Sequence, residues 1–372
     1  MHKLLIKPVW VLRDHAEGDQ LMHRLIPLLV GIHEMGTLAA ACERTGDSYR
    51  HAWGLLQRGR QAFGAPLVIG SRGRGAKLTG LGDKLLWAEK RVAARLSPLL
   101  ESVASEVEAE LERASPDSRG TLRIHASHAF AITALRDFLV HRHLPVEVTY
   151  DGSSEALASF HHAACDMAGF HIPKGDLERE VLGLYAKWLK PEAHVLVQVV
   201  ERRQGIIVAP GNPRGLASVA DLARPHLRFV NRQPGSGTRI LLDRLLAREG
   251  VKVERIQGYD RQEYTHAAVA AYIASDMADA GMGVETAARQ FHLGFVPLLT
   301  ERYFLVMRRE ARDSPMMQGV LAAMRSREFR AQLTRLQGLE ATSCGTVQEI
   351  EAALPDFRTL APPRKRREAA GS

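Results

Sequence analysis

Two stretches of this chain, ACDMAGFHIP at 164–173 and ASDMADAGMGV at 274–284, carry one pattern: a helix end, Asp-Met, then a strand of small and apolar residues. Each closes a series of alternating strand and helix segments, and this duplication constrains the fold more than any other feature. In the first series TLRIHAS and PVEVTYD read as strands, and HAFAITALRDFLVHRH and GSSEALASFHHAAC as helices. In the second, GIIVAPGN and LRFVN read as strands, and SGTRILLDRLLAREG and HAAVAAYIAS as helices. Such alternation gives parallel sheets with ligand crevices at the strand C-termini. Two similar α/β lobes facing each other make a clamshell, with VLVQVVERRQGIIV (195–208) and FVPLLTERYFLVM (295–307) as the expected hinge crossings.

Upstream the pattern is different. Residues 25–45 read as a helix, a break at Gly36 and a second helix starting near Thr37. After the turn GDS, the run YRHAWGLLQRGRQAF spaces Ala52, Leu55, Leu56 and Phe63 as one helical face, with Ser48 as its expected N-cap. GAPLVIGSRGRGAKLTGLG then has a hairpin's glycines at its tip. Two tightly joined helices and a hairpin make a winged helix-turn-helix over 20–80. From Leu81 to Ala114 one long helix is expected, and Leu85, Val92, Leu96, Leu99, Val103, Val107 and Leu111 form a stripe along it. A stripe of that length wants a partner helix, most simply its own copy, so 81–114 reads as a linker and dimerisation helix. SPDSRG (115–120) is a linker by composition, a two-lobed effector-binding domain follows over 120–356, and 357–372 is a basic tail expected to be disordered. The fold class is thus an α+β winged helix-turn-helix with a long linker helix, followed by a two-lobed α/β clamshell.

Fifty basic against 42 acidic residues give a net charge of +8, which favours a polyanionic partner. The opening residues are too short and too broken by charge and proline for a secretory signal, and no apolar run is long enough to span a membrane. Cys42, Cys165 and Cys344 have neither pairing nor metal-ligand spacing. A reduced, cytoplasmic protein without cofactor or metal is expected.

The segment NRQPGSGTR (231–239) joins an apolar run to a helix through glycines and hydroxyls, an arrangement that points backbone N–H groups at an anion. It is not a Walker loop, because no lysine follows the glycines. Ser236, Gly237, Thr238 and Arg239 are therefore candidate effector-binding residues. In the bland alternative Thr238 simply caps the helix. The corresponding helix starts contribute Ser127, His128, Ser153, Ser154, Thr265 and His266. Arg239 is expected to supply fixed charge to a carboxylate or phosphate. His161 and His162, adjacent on one helix, are expected to be one surface and one core residue. For DNA contact the candidates are Thr37, then Ser48, Tyr49, Arg50 and His51 at the start of the second helix, and Arg72, Arg74 and Lys77 in the wing. Trp53 is expected to pack the helix instead.

GTLAAACERTGDSYRHAWGLLQ, the S-Y-x-x-A-W opening and the wing ending in LT-x-x-G resemble the ModE-type, LysR-like winged helix of molybdate-responsive regulators. QGIIVAPGNP, DLARPHLRFVNRQPGSGTRILLD and GMGVETAA make residues 120–345 resemble the periplasmic-binding-protein-like domain that often follows such a head. The molybdate-binding oligomer fold of ModE itself is not visible. The resemblance implies a transcription regulator that binds operator DNA as a dimer through 81–113, with a tetramer as the LysR-type implication. Its effector would be a small anion: a molybdate- or tungstate-like oxyanion, or a small carboxylate such as formate. Genes of molybdenum-enzyme or formate metabolism would be its targets. Two other classes stay open. One is an enzyme of molybdenum cofactor or phosphate metabolism, although no G-x-S-x-G or catalytic-cysteine context supports it. The other is a transport binding protein, which the winged helix opposes.

Overall fold

A computed structural model describes residues 4–12, 18–70, 75–114 and 120–360. The chain forms two compact units. Lys7–Ser97 together with Ala274–Asp276 make the smaller; Met1–Ile6, Pro98–Ile273 and Met277–Ser372 make the larger.

In the smaller unit α1 (Gly18–Met35), α2 (Leu38–Thr45) and α3 (Tyr49–Phe63) precede a hairpin of β1 (Val68–Gly70) and β2 (Ala76–Leu78). α1 buries Leu21, Leu25, Leu28, Leu29 and Ile32 against Ala41, Cys42, Ala52, Leu55 and Leu67. Thr37 caps α2 and Ser48 caps α3, each side-chain oxygen accepting a backbone N–H of the first turn. Between the two helices Gly46 takes φ +73°, which a residue without Cβ adopts at little cost. Gly59 is required by closeness: a Cβ there would lie 2.9 Å from methyls of both Leu25 and Leu67. β1 and β2 pair antiparallel, Ile69 opposite Lys77. Trp53 is corrected here: it is 51% exposed, because the buried face of α3 is taken by Ala52, Leu55 and Leu56.

α4 (Gly80–Arg113) runs from the smaller unit into the larger. Within the larger unit its buried face is Ala104, Ser105, Glu108 and Ala109, while Leu99, Val103 and Leu111 are exposed.

The larger unit is built twice from one plan. β3 (Leu122–Ala126), α5 (Phe130–His141), β4 (Val146–Tyr150), α6 (Ser153–His161) and β5 (Met167–Pro173) form the first lobe's parallel set. After α7 (Glu178–Tyr185) the long β6 (His194–Val208) crosses over. β7 (Phe229–Arg232), α8 (Gly237–Arg248), β8 (Gln262–Glu263), α9 (His266–Ala274) and β9 (Ala280–Val284) repeat the set. Following α10 (Glu285–Gln290), β10 (Gly294–Arg308) crosses back. α11 (Pro315–Arg325), α12 (Arg327–Thr334), β11 (Leu339–Glu340), β12 (Val347–Glu349), α13 (Ile350–Ala353) and α14 (Phe357–Leu360) complete the described chain. The strand order is β4-β3-β5-β10-β6-β9-β7-β8, with β11 and β12 also on β6. β10 and β6 pair antiparallel along their length, and each serves both lobes. β5 lies on Glu301–Met307 of β10, and β9 on Gln204–Val208 of β6.

Two apolar cores hold this unit. One is centred on Phe170, Leu182, Phe229, Leu242 and Phe304, the other on Ile124, Leu135, Val197, Leu305 and Phe329. The edge strand β4 is covered by α4: the Val148 and Tyr150 N–H groups donate to Ser105 Oγ (2.8 Å) and Ser102 Oγ (3.0 Å). Hydroxyls thus satisfy N–H groups that an edge leaves open.

The two sequence repeats align differently from the Asp-Met reading. Asp276 occupies a turn at φ +57°, and the residue before β9 that matches Asp166 before β5 is Asp279. His161 and His162 are both exposed, since α6 ends at His161.

Candidate functional site

The loops that follow β3, β7 and β8 carry their side chains at the C-terminal ends of parallel strands, where α/β folds bind ligands. In the second lobe Gly235, at φ +80°, turns the chain after β7, and Ser236 caps α8 by accepting the Arg239 N–H at 3.2 Å. Thr238 does not cap. Its hydroxyl is buried and accepts from Gln204 Nε2 at 2.9 Å, because Gln204 on β6 reaches the first turn of α8. The same amide donates to Glu301 at 2.9 Å, and Glu301 accepts Arg202 Nε at 2.8 Å. Arg202 and Glu301 stand directly opposite on β6 and β10, both buried.

Arg239 is already committed. Its Nε bonds Asp243 one turn along α8, and its guanidinium lies 4.0 Å from the Tyr259 ring centroid. The cation without an acid is Arg232, the last residue of β7, only 8% exposed. Its Nε donates to Gln233 Oε1 (3.1 Å) and its Nη2 to the Tyr264 carbonyl (3.0 Å). Both acceptors are neutral, and a guanidinium has five N–H groups to place. Among the described residues no carboxylate lies within ion-pair distance of it. Burial, reinforced by the Arg202 charge, pulls its pKa down to about 9.

From the first lobe, His171 on β5 stacks on Tyr303 of β10, ring centroids 3.9 Å apart. Ser127, after β3, lies 3.5 Å from His171 Nδ1 and donates to the Tyr303 hydroxyl at 3.5 Å. The His171 Nε2 is buried and unpartnered. Thr265 caps α9 through the Ala268 N–H, and His266 follows it, its Nδ1 likewise buried and unpartnered. Burial, then the charges of Arg202 and Arg232, hold His171 well below the ordinary imidazole range. His266 is held low by burial, then by Arg232, Arg202, His171 and His128. Groups from both lobes therefore share one electrostatic environment: His171 and His128 from the first, Arg232 and His266 from the second, with Arg202 and Glu301 on the crossing strands.

The remaining candidates have other partners. His128 Nε2 lies 3.4 Å from Glu101 of α4, its ring edge-on to Tyr150. Ser153 is buried beside Tyr185, and Glu155 folds back over Gly152, so the start of α6, with half-buried Ser154, is covered by its own carboxylate. The sequence reading missed Arg232, His171, Arg202, Gln204, Glu301 and Tyr303. Arg232 stood inside the segment already singled out, and its place at a strand's C-terminal end was the available signal.

In the smaller unit Tyr49, Arg50, His51 and Trp53 are exposed on α3, and Lys77 on β2. His51 lies 3.8 Å from Asp47. Arg72 and Arg74 lie outside the described residues, as do 115–119 and the tail from 361. Among the described residues no cluster of histidine, cysteine and carboxylate side chains could hold a metal ion, and no helix is long and apolar enough to cross a membrane.

A family model, the PBP superfamily domain, matches residues 137–325. The uncharacterised protein YvgK of Bacillus subtilis (strain 168) is 29% identical over 256 residues, covering 66% of this chain and 79% of its own. The molybdenum-pterin-binding protein MopB of Rhodobacter capsulatus is 34% identical over 118 residues, 31% of this chain and 43% of its own. Among solved structures, the regulatory domain of MetR, a LysR family regulator from N. meningitidis, aligns at 12% identity and a TM-score of 0.43 over 59% of this chain and 97% of that one.

Proposed function

Because the chain belongs to the PBP superfamily, matched over residues 137–325, we infer that its two-lobed unit is a receptor for a small anion. The chain as a whole would then be a ligand-responsive, DNA-binding transcription regulator. The observation that carries the receptor reading is Arg232: a buried guanidinium at the end of a parallel strand, with neutral acceptors only and donors left over. A buried cation without a counter-charge is costly, and an anion in the cleft removes that cost. His266 feels the Arg232 charge, and Ser127, Thr265 and the N–H groups at the start of α8 would complete the site, whereas Arg239 serves the helix itself.

An anion that engages Arg232 in one lobe and His171 in the other favours the closed clamshell, and closure is as strong as that preference. α1 to β2 would act as a winged helix-turn-helix. α3 would lie in the major groove with Tyr49, Arg50, His51 and Trp53 outward, and Lys77 would contact phosphate. The exposed stripe of α4 would pair two copies. Molybdate and tungstate enter the ligand panel because a partial relative is named for binding molybdenum-pterin; formate, sulfate, phosphate and oxalate complete it.

Calorimetric titration of the full chain with this panel tests the reading, beside operator footprinting with and without each anion. Binding of one anion, lost in Arg232→Met and retained in Arg239→Ala, is the expected result. Silence across the panel, or binding indifferent to Arg232→Met, defeats it.

A further inference from the structure

We propose that the cleft takes a compact dianion together with one proton, and that His171 receives the proton. The inference rests on the receptor reading above and specifies which anions it serves.

Hydrogen-bond direction carries the argument. Ser127 donates its single hydrogen to the Tyr303 hydroxyl, so toward His171 it can only accept. That places the proton of neutral His171 on Nδ1, against Ser127 Oγ, and leaves a bare lone pair on Nε2. Nε2 is buried, with no donor within reach. An anion oxygen brought to a bare lone pair is repelled; it is attracted once Nε2 carries a proton. The Tyr303 ring, stacked on the imidazole, fixes its plane.

The charges of the site lead to the same conclusion. Facing this cluster are Arg202, Gln204 and Glu301 from the crossing strands, Arg232 from β7, His266 from α9, His128 from the loop after β3, and Tyr303 from β10. His128 is paired with Glu101, and the charges that act on Arg232, His171 and His266 are those of Arg202, Arg232 and the neighbouring histidines, not that of buried Glu263 on β8. Arg202 and Arg232 against Glu301 give a net single positive charge while both histidines are neutral. A monoanion such as formate is balanced by that charge. A dianion leaves one negative charge over, in a site where unbalanced charge is poorly screened. One proton on His171 restores the balance and turns its orphaned nitrogen into a donor. The same arginines that, with burial, keep the imidazole neutral are themselves offset by a bound dianion.

The test is calorimetry of the full chain with sulfate, oxalate and formate in two buffers of different ionisation enthalpy, between about pH 8 and pH 6, around the ordinary histidine pKa. Sulfate or oxalate is expected to take up close to one proton, with affinity rising by up to about tenfold per pH unit of acidification. Formate binding should be independent of pH. In His171→Asn, with His171→Gln as a second variant and thermal melts checking the fold, the dianion should bind without proton uptake. A dianion that binds wild type with no buffer-dependent heat overturns the inference and leaves the receptor reading standing. Proton uptake that persists in folded His171 variants, or accompanies formate equally, also overturns it. No binding by any anion of the wider panel at any pH overturns both.

Discussion

Asp166 clamps Arg123 by three hydrogen bonds: from the backbone N–H at 2.9 Å, from Nε at 3.3 Å and from Nη2 at 2.9 Å. Asp279 clamps Arg228 through the same three groups, at 2.9, 3.2 and 3.0 Å. In each lobe the clamp ties the start of the first parallel strand to the start of the third. Burial opposes both carboxylates, but the arginine and backbone donors outweigh it and hold both pKa values below the ordinary range. Asp166→Asn and Asp279→Asn should each cost about 1–3 kcal/mol in urea unfolding. Asp279, whose side chain is 11% exposed against 33% for Asp166, should cost more. With pKa values lowered in the fold, this stabilisation is complete above the unfolded carboxyl pKa and is lost as pH falls through the folded one.

Glu108 of α4 and Arg136 of α5 form an ion pair at 2.8 Å with side chains 1% and 4% exposed. Removing one partner strands a buried charge, so Glu108→Ala should lose about 3–5 kcal/mol. Glu108→Leu combined with Arg136→Met should recover most of that, because no unpaired charge remains. Denaturant midpoints of the two single variants and the double variant decide this.

Acid should weaken the larger unit before its carboxylates titrate. Burial, then Lys190 and Arg308, push His194 down to about 4. Its Nδ1 accepts the Lys190 N–H at 3.1 Å, and Phe160 packs edge-on against its ring. The unfolded chain therefore takes up a proton below about pH 6.5 that the folded chain refuses, and stability falls from there toward pH 4. His194 alone accounts for a loss on the order of 3 kcal/mol over that interval. Melting temperatures measured across it should decline less steeply in His194→Asn, which keeps an acceptor for Lys190.

Trp53→Ala should leave thermal stability nearly unchanged, since half of the indole is exposed. The proposed role in DNA binding instead requires a several-fold loss of operator affinity at constant salt. Lys77→Ala should weaken binding to all sequences alike and reduce the salt slope by about one. Equal operator affinities for wild type and both variants would remove α3 and β2 from the DNA-binding surface.

The sequence by itself determined what depends on neighbours along the chain. The duplicated strand–helix order, the cap Ser48 and the turn at Gly46 are local, because helical periodicity and capping act within a few residues. Arg239, expected to lend its charge to an anion, is instead held by Asp243 four residues on, where a helix brings side chains together. Only the tertiary structure decided which side chains of the two lobes and the crossing strands come together. His171 meets Tyr303, and Arg202 meets Glu301, through the register of strands distant in sequence. A one-residue slip in that register would turn each side chain to the opposite face. For the same reason the Asp-Met repeat misaligned the lobes: the matching of Asp279 to Asp166 lies in which strand each aspartate precedes and which arginine it reaches.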